Sequence, residues 1–320
     1  MATHYLEFER PIADLEAKIE ELSKLSETAG PGAFDAEIEA LRARLQEKRR
    51  DAYANLDAWQ KTQVARHPER PHFVDYVAGL IDEFVELRGD RKFADDQAIM
   101  GGLGHFRGRP VVVIGHEKGR DTVTRVKHNW GSARPEGFRK AIRLMDMAER
   151  FNLPVISFVD TQAAYPGVAS EERGVAEAIA RSTERSLTLG VPMVAVVTGE
   201  GGSGGALGIA CGSRVLILEH AIYSVIPPEG ANSILWRGAR TAEVAAKAMK
   251  ITAQDLLGMK IVDSVIPEPP GGAHSDPDAT IQAVGDAVEA ELRELTKFGP
   301  DELRKRRADR FYAIGRAGVR

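Results

Sequence analysis

The feature that most constrains the fold is a series of short apolar runs, rich in β-branched residues, that alternates with helical segments from Arg109 onward. Continuous apolar runs of this length are typical of strands buried on both faces of a sheet. The strand–helix–strand order favours parallel strands joined by right-handed crossovers, so we predict an α/β core. The predicted strands are residues 110–116, 154–159, 192–198, 214–218 and 222–226.

Two helices are predicted between these strands. Residues 135–151 begin with Pro135, which suits a first helical turn, and repeat apolar residues every three or four positions. Residues 170–189 form the second predicted helix, with Gly190 as its stop.

The two ends of the chain are predicted to be helical, which gives three regions. In residues 1–70, apolar residues at helical spacing are interrupted by Gly30-Pro31-Gly32, a pattern that predicts a helical hairpin serving as a packing or oligomerisation arm. Residues 71–267 form the predicted α/β core. Residues 268–320 comprise a Pro/Gly linker, a helix from about residue 279 and a basic run at 304–307, whose role the sequence leaves open.

Composition excludes several classes of protein. With 320 residues, 43% of them hydrophobic, and a net charge of −4, the chain is a globular protein for which nucleic acid is not a favoured partner. A single cysteine, Cys211, cannot form an internal disulfide or by itself build a zinc or iron–sulfur site. The longest apolar run, residues 191–197, is far shorter than the ~20 residues of a membrane helix. Residues 1–10 carry acids where a signal peptide carries basic residues. We therefore expect a cytoplasmic protein with no membrane segment and no metal site of its own.

The most informative segment is the glycine-rich stretch 198–208, directly after a predicted strand. Glycine at this density lets backbone N–H groups approach a ligand, and a helix starting at Ser203 directs its first N–H groups at an anion. Three chemistries share this pattern, and tight turns with no ligand are a fourth interpretation.

Two of these chemistries depend on side chains elsewhere. Gly199-x-Gly201-x-x-Gly204 matches the dinucleotide-binding fingerprint, with Glu219 as the ribose-binding acid. Alternatively, Ser203 lies in a G-x-S-x-G elbow, with Asp263 and His274 following in the order of an esterase triad.

The third chemistry is a backbone oxyanion hole that holds an enolate as its charge develops. It needs no nucleophilic side chain. It predicts a second backbone donor on a neighbouring strand-to-helix turn, and residues 160–167 form such a turn after the strand 154–159.

Eight motifs follow one another along the chain. They are Gly115-His116-x-Lys118-Gly119-Arg120-Asp121-Thr122, Arg134-Pro135-Glu136-Gly137, Asp160-Thr161 with Tyr165-Pro166-Gly167, Glu171-Glu172-Arg173-Gly174, Gly199-Glu200-Gly201-Gly202-Ser203-Gly204-Gly205-Ala206, Tyr223-Ser224-Val225-Ile226, Pro228-Glu229-Gly230 and Ser233-Ile234-Leu235-Trp236. In this order and at this spacing, they closely resemble the α subunit of bacterial acetyl-coenzyme A carboxylase carboxyltransferase. The likeness runs from the N-terminal helices to Gly271-Gly272-Ala273-His274.

The resemblance implies a crotonase-like spiral of ββα units and an enzyme of fatty acid synthesis. It implies transfer of a carboxyl group from carboxybiotin, held by a biotin carboxyl carrier protein, to acetyl-CoA, which gives malonyl-CoA. It further implies an α₂β₂ assembly whose β subunit carries the zinc, with biotin carboxylase as a further component of the complex. A relative that keeps the fold and only binds partners is the alternative.

Site residues are also implied by the resemblance. The N–H groups of Gly204 and Gly205 match the donors to the biotin ureido oxygen. Gly201, Gly202 and Ser203 complete the substrate-binding loop, and Tyr165, Pro166 and Gly167 match the wall beside it. The chain departs from the family pattern at Gln162-Ala163, where Pro-Gly is common, and at Pro227-Pro228, where Ser-Pro is common.

A run of cations spans residues 118–143, with eight Lys or Arg against Asp121 and Glu136. The two interpretations are a solvated face and an electropositive surface for the carrier or for coenzyme A phosphates. On the second interpretation, Lys118, Arg120 and Arg134 are the candidate contacts.

Overall fold

The computed structural model describes residues 4–30 and 32–315; Pro31, part of the predicted turn, and the terminal residues 1–3 and 316–320 lie outside the described residues. The helices are α1 Arg10–Ala29, α2 Asp35–Ala54, α3 Ala58–Ala65, α4 Phe73–Leu80, α5 Thr122–Lys127, α6 Pro135–Arg150, α7 Val168–Glu172, α8 Val175–Thr188, α9 Ser203–Ala210, α10 Pro228–Trp236, α11 Ala242–Met249, α12 Ala253–Gly258, α13 Pro277–Leu295 and α14 Pro300–Ala313. The strands are β1 Ile81–Glu86, β2 Ile99–Phe106, β3 Arg109–His116, β4 Val155–Thr161, β5 Met193–Gly202, β6 Arg214–Leu218, β7 Ile222–Ser224 and β8 Ser264–Ile266.

All strands belong to one sheet with the order β1-β2-β3-β4-β5-β6-β8, and β7 pairs with the end of β5. The pairs from β3 to β8 are parallel, whereas β1, β2 and β3 pair antiparallel. Every residue of β4 and β5 is buried, as their apolar sequences predict. The α/β core is confirmed, and the carboxyl ends of β3, β4 and β5 meet at one edge of the sheet.

Strands β1, β2 and β8 are not among the predicted strands. β2 contains three glycines, which sequence patterns assign to turns, but the structure explains them by close packing. A Cβ at Gly102 would lie 2.0 Å from the carbonyl oxygen of Val85 on β1, so only glycine lets the two strands approach.

The prediction of one continuous helix over residues 170–189 is wrong, because two helices occupy this region. Gly174 adopts a left-handed conformation with φ +74°, which ends the short helix α7 and starts α8. The prediction for residues 135–151 is confirmed to within one residue by α6.

The N-terminal hairpin, α1 and α2, packs on α3 through a small apolar cluster in which Ile12, Leu45 and Tyr53 meet Val64 of α3. A much larger cluster fills the space around the sheet and includes residues of α13 and α14. Among the described residues, no helix combines the length and apolar character needed to cross a membrane.

Candidate active site

The glycine-rich segment forms the sharp junction between β5 and α9. The strand runs through Gly202 and the helix begins at Ser203, whose φ of +55° is unusual for a residue with a side chain. Gly204 and Gly205 are the second and third residues of α9, where N–H groups have no partner within the helix. The predicted donors therefore lie at a helix start.

The turn after β4 packs directly on this junction. A Cβ at Gly202 would lie 1.8 Å from the carbonyl oxygen of Gln162, and one at Gly205 would lie 2.6 Å from backbone atoms of Ala163 and Ala164. The hydroxyl of Thr161 donates to the carbonyl oxygen of Ala163 at 2.9 Å and closes the turn. The structure thus brings the two predicted loops together, with Gln162-Ala163 at the contact.

Tyr165, Pro166 and Gly167 continue from this turn. The Tyr165 amide donates to the carbonyl oxygen of Ala133 at 2.9 Å. Its ring lies against Gly167, where a Cβ would be 2.4 Å from Cε1, and the guanidinium of Arg134 lies 4.7 Å from the ring centroid. Arg134 therefore supports the Tyr165 ring, and the role of this segment as a substrate wall stays a prediction.

Two cavities flank the junction, and each has the size of a small-ligand pocket. One, of about 340 Å³, is lined by Ser203, Gly204 and mainly apolar side chains such as Leu207, Tyr223 and Phe311. The other, of about 370 Å³, lies at the carboxyl ends of β3, β4 and β5 and is lined by polar side chains that include Lys118, Gln162 and Glu200.

The cations of residues 118–143 are mostly engaged within the protein. The ammonium of Lys118 lies 2.7 Å from Asp160 Oδ1 and 3.5 Å from Glu200 Oε1. Arg120, at 59% side-chain exposure, pairs with Asp75, and the buried Lys140 pairs with Asp95. All three candidate phosphate contacts thus have partners within the protein, and Arg120 is the exposed one among them.

The fingerprint of a dinucleotide site lacks its structural context. Gly199 and Gly201 lie inside β5 rather than in a loop after it, and the helix after the strand has only eight residues. The Glu219 carboxylate accepts a hydrogen bond from the Glu268 amide at 3.1 Å, so it already has a structural partner.

The esterase triad is not assembled either. Asp263 accepts hydrogen bonds from the Val215 amide and from Arg310. His274 instead stacks on His67, with ring centroids 3.7 Å apart. Although Ser203 occupies a strained turn, neither proposed partner is hydrogen-bonded to it among the described residues.

One group of potential metal ligands, Glu9, His67 and His274, lies where the hairpin meets the core. His67 Nε2 contacts the carbonyl oxygen of His4 at 2.9 Å, while its Nδ1 accepts from the Glu69 amide at 3.3 Å. Burial lowers the pKa of His67 to about 4, which keeps the ring neutral. Because both ring nitrogens already have hydrogen-bond partners, His67 has no lone pair to offer a metal. The three residues instead connect the hairpin to the core.

The sequence predicts no role for three residues at the site whose side chains are buried, Arg70, His116 and Glu268. Arg70 donates to the carbonyl oxygen of Thr198 at 2.8 Å and pairs with Glu268. Burial alone would raise the pKa of Glu268, but the Arg70 charge outweighs it and lowers the pKa to about 2. His116 is fully buried, and desolvation lowers its pKa to about 4. His116 belongs to one of the eight motifs, but the contacts of all three residues depend on the tertiary fold.

Known proteins are similar to this chain over almost its whole length. The profile of a family described as acetyl co-enzyme A carboxylase carboxyltransferase-like matches residues 5–315. The chain is 80% identical over 319 residues to the acetyl-coenzyme A carboxylase carboxyl transferase subunit alpha of Phenylobacterium zucineum, with 100% of both chains covered. It is 75% identical over 319 residues, again with full coverage, to the protein of that name from Caulobacter vibrioides.

Among solved structures, the 12S component of transcarboxylase, determined with hydrolysed methylmalonyl-coenzyme A bound, is similar with a TM-score of 0.56 and 21% identity. The match covers 70% of this chain and 41% of that one. At this identity the likeness shows a shared fold, and it confirms the predicted crotonase-like class.

Proposed function

Because the chain belongs to the family of acetyl-coenzyme A carboxylase carboxyltransferase α subunits, we propose that it transfers the carboxyl group of carboxybiotin to acetyl-CoA through a backbone oxyanion hole. The N–H groups of Gly204 and Gly205 are its donors. As the bond between nitrogen and carboxyl carbon breaks, negative charge moves to the ureido oxygen, and these donors hold it. The product of the transfer is malonyl-CoA.

One observation supports this proposal most directly: the packing around position 204 does not require glycine there. A Cβ there would meet only the Ile179 side chain, at 3.3 Å, and its φ is not positive. Gly204 instead lines the apolar cavity of about 340 Å³. Since a helical side chain leans toward the helix start, any residue but glycine would place atoms over the N–H groups.

The surrounding residues fit a biotin ring. Ser203, Gly204 and the apolar wall provide a cavity beside the start of α9. Tyr165, Pro166 and Gly167 form the neighbouring wall, and Gly201 and Gly202 let the backbone approach. The donors stabilise charge only where it develops, so they favour the transition state over the bound substrate.

No titrating side chain of this chain is needed for proton transfer. The electron pair left on the ureido group takes a proton from the acetyl methyl group, and the resulting carbanion attacks the released carbon dioxide. Cys211 is not a nucleophile, because burial raises its pKa to about 11.

Partners complete the proposed enzyme. The β subunit, in an α₂β₂ assembly in the cytoplasm, supplies the acetyl-CoA side and the zinc, while the carrier protein delivers the biotin that biotin carboxylase has charged. Arg120 is the exposed candidate for carrier or phosphate contact. A salt-sensitive rate would support that contact.

The test is malonyl-CoA-dependent carboxylation of biocytin, the lysine adduct of biotin, by this chain alone and with a zinc-containing β subunit added. We expect activity only in the mixture. A stable complex, shown by co-elution, that has no activity would favour the binding-only alternative. Labelling of Ser203 by a serine-reactive phosphonate would favour a hydrolase.

A further inference from the structure

The parallel pairing of β4 and β5 is interrupted just before the glycine junction. Val159 pairs with Val197, but the next pair is Thr161 with Gly201. The chain therefore advances two residues along β4 and four residues along β5 between these two pairs. The extra residues, 198–200, form a bulge in β5. A bulge bends its strand and changes the direction of the chain after it, and here that chain is the start of α9.

Backbone groups in a bulge need partners outside the strand ladder. The carbonyl oxygen of Thr198 accepts two hydrogen bonds from Arg70, at 2.8 and 3.2 Å. The amide of Glu200 donates to Asp160 Oδ1 at 2.8 Å. Each end of the bulge is thus fixed by a buried charged side chain.

The Asp160 carboxylate is itself paired. Its Oδ1 lies 2.7 Å from the Lys118 ammonium, which comes from the end of β3. Burial alone would lower the pKa of Lys118, but Asp160 and Glu200 outweigh it and raise the pKa above its usual value. Lys118 therefore keeps its charge because the two carboxylates lie beside it.

Asp160 also occupies the space inside the bulge. A Cβ at Gly199 would lie 2.5 Å from Asp160 Oδ1, so the bulge closes tightly around the carboxylate. Residues 162–164, shortly after Asp160 in the chain, are the ones that pack on Gly202 and Gly205. One side chain thus links both loops of the candidate site.

We propose that Asp160 is a positioning residue that sets the direction of the Gly204 and Gly205 N–H groups through its bond to the Glu200 amide, with Lys118 as its counter-ion. This inference rests on the proposed function. It assigns Lys118 to the interior of the site rather than to phosphate binding.

Two charge-neutral double variants separate the hydrogen bond from the ion pair. Lys118→Met/Asp160→Asn keeps an oxygen that can accept from the Glu200 amide, whereas Lys118→Met/Asp160→Ala does not. Glu200 keeps a partner in both, because Arg66 Nε lies 2.7 Å from its carboxylate. Lys61→Met, at a buried lysine bound to Gln254, controls for the loss of a buried ammonium elsewhere.

Each variant is assayed for biocytin carboxylation in complex with the β subunit. We expect the Asn variant to recover a kcat within about threefold of the Lys61→Met control, and the Ala variant to lose at least about tenfold in kcat with an unchanged KM. Equal kcat in the two double variants, or a loss that appears only as a higher KM, would overturn the proposal.

Amide hydrogen exchange of the chain without its partner supplies a second readout that does not depend on activity. Peptides covering residues 198–205 should exchange faster in the Ala variant than in the Asn variant, while peptides from α13 exchange alike. Equal exchange at 198–205 would overturn the positioning role. An inactive wild-type complex would contradict the proposed function but leave this comparison decisive for the bulge.

Discussion

Five glycines lie between residues 199 and 205, and they are there for two different reasons. At Gly199, Gly201, Gly202 and Gly205 a Cβ would come within 3.0 Å of a neighbouring atom, so packing alone requires glycine. At Gly204 it would not. Packing therefore explains four of these five glycines, and the absence of a side chain at Gly204 is the one that the proposed biotin site explains.

This distinction predicts the effect of Gly204→Val. The side chain would project over the helix start and screen the N–H groups, so we expect kcat for biocytin carboxylation to fall at least about a hundredfold, the loss typical of one oxyanion donor. The melting temperature should change little more than in Gly258→Val, because Gly258 is an exposed helical glycine with no atom within 4 Å of its Cβ position. A kcat within about tenfold of wild type would contradict the proposed role of this donor.

Which residues were predictable also depends on their partners. The place of Gly204 and Gly205 at a helix start could be predicted, because a glycine-rich stretch follows a buried strand there. Their role as donors follows from the family resemblance and stays a prediction. The role of Lys118 could not, because 43 basic and 47 acidic residues offer many possible pairs and only the fold selects Asp160 and Glu200.

At the scale of elements, apolar runs predicted five of the eight strands that the structure describes, and glycine explains two of the errors. β5 extends four residues beyond its predicted end at 198, because its glycines pair with β7 and accommodate the turn after β4. β2 was not predicted for the same reason. Glycine is read as a turn signal, yet here it permits close approach between strands.

The hairpin of α1 and α2 is predicted to be held by a few contacts at its base. Glu9 accepts hydrogen bonds from Tyr53 of α2 and from the Leu6 amide, and His274 Nε2 lies 3.5 Å from its carboxylate. In Glu9→Gln we expect faster amide exchange in α1 and α2 and unchanged exchange in β4 and β5. Glu20→Gln, which removes an exposed pair with Lys24 in the same helix, should change neither. Faster exchange throughout the chain would show that the hairpin and the core unfold together.

Across the whole molecule, the parallel sheet explains why the candidate site is assembled from distant parts of the sequence. The carboxyl ends of β3, β4 and β5 bring Lys118, Asp160 and the glycine junction together. The crossover rule predicts this meeting of strand ends from sequence order alone. The bulge in β5 that orients the junction depends on buried ion pairs, and no local pattern reveals it.

The buried histidines predict how the stability of the whole chain depends on pH. Burial lowers the pKa of both His67 and His116 to about 4, against an ordinary value near 6.5, so folding favours their neutral forms. Their stabilisation is complete above about pH 6.5 and is lost as the pH falls toward 4. Between pH 7 and pH 5, we expect each of these histidines to lower the free energy of unfolding by up to about 2 kcal/mol. Urea denaturation at the two pH values measures this decrease. In His116→Leu, where this position cannot titrate, the decrease should be smaller than in wild type by up to about 2 kcal/mol, while His67 and the buried His220 still contribute. A decrease equal to that of wild type would mean that His116 is not buried as a neutral ring.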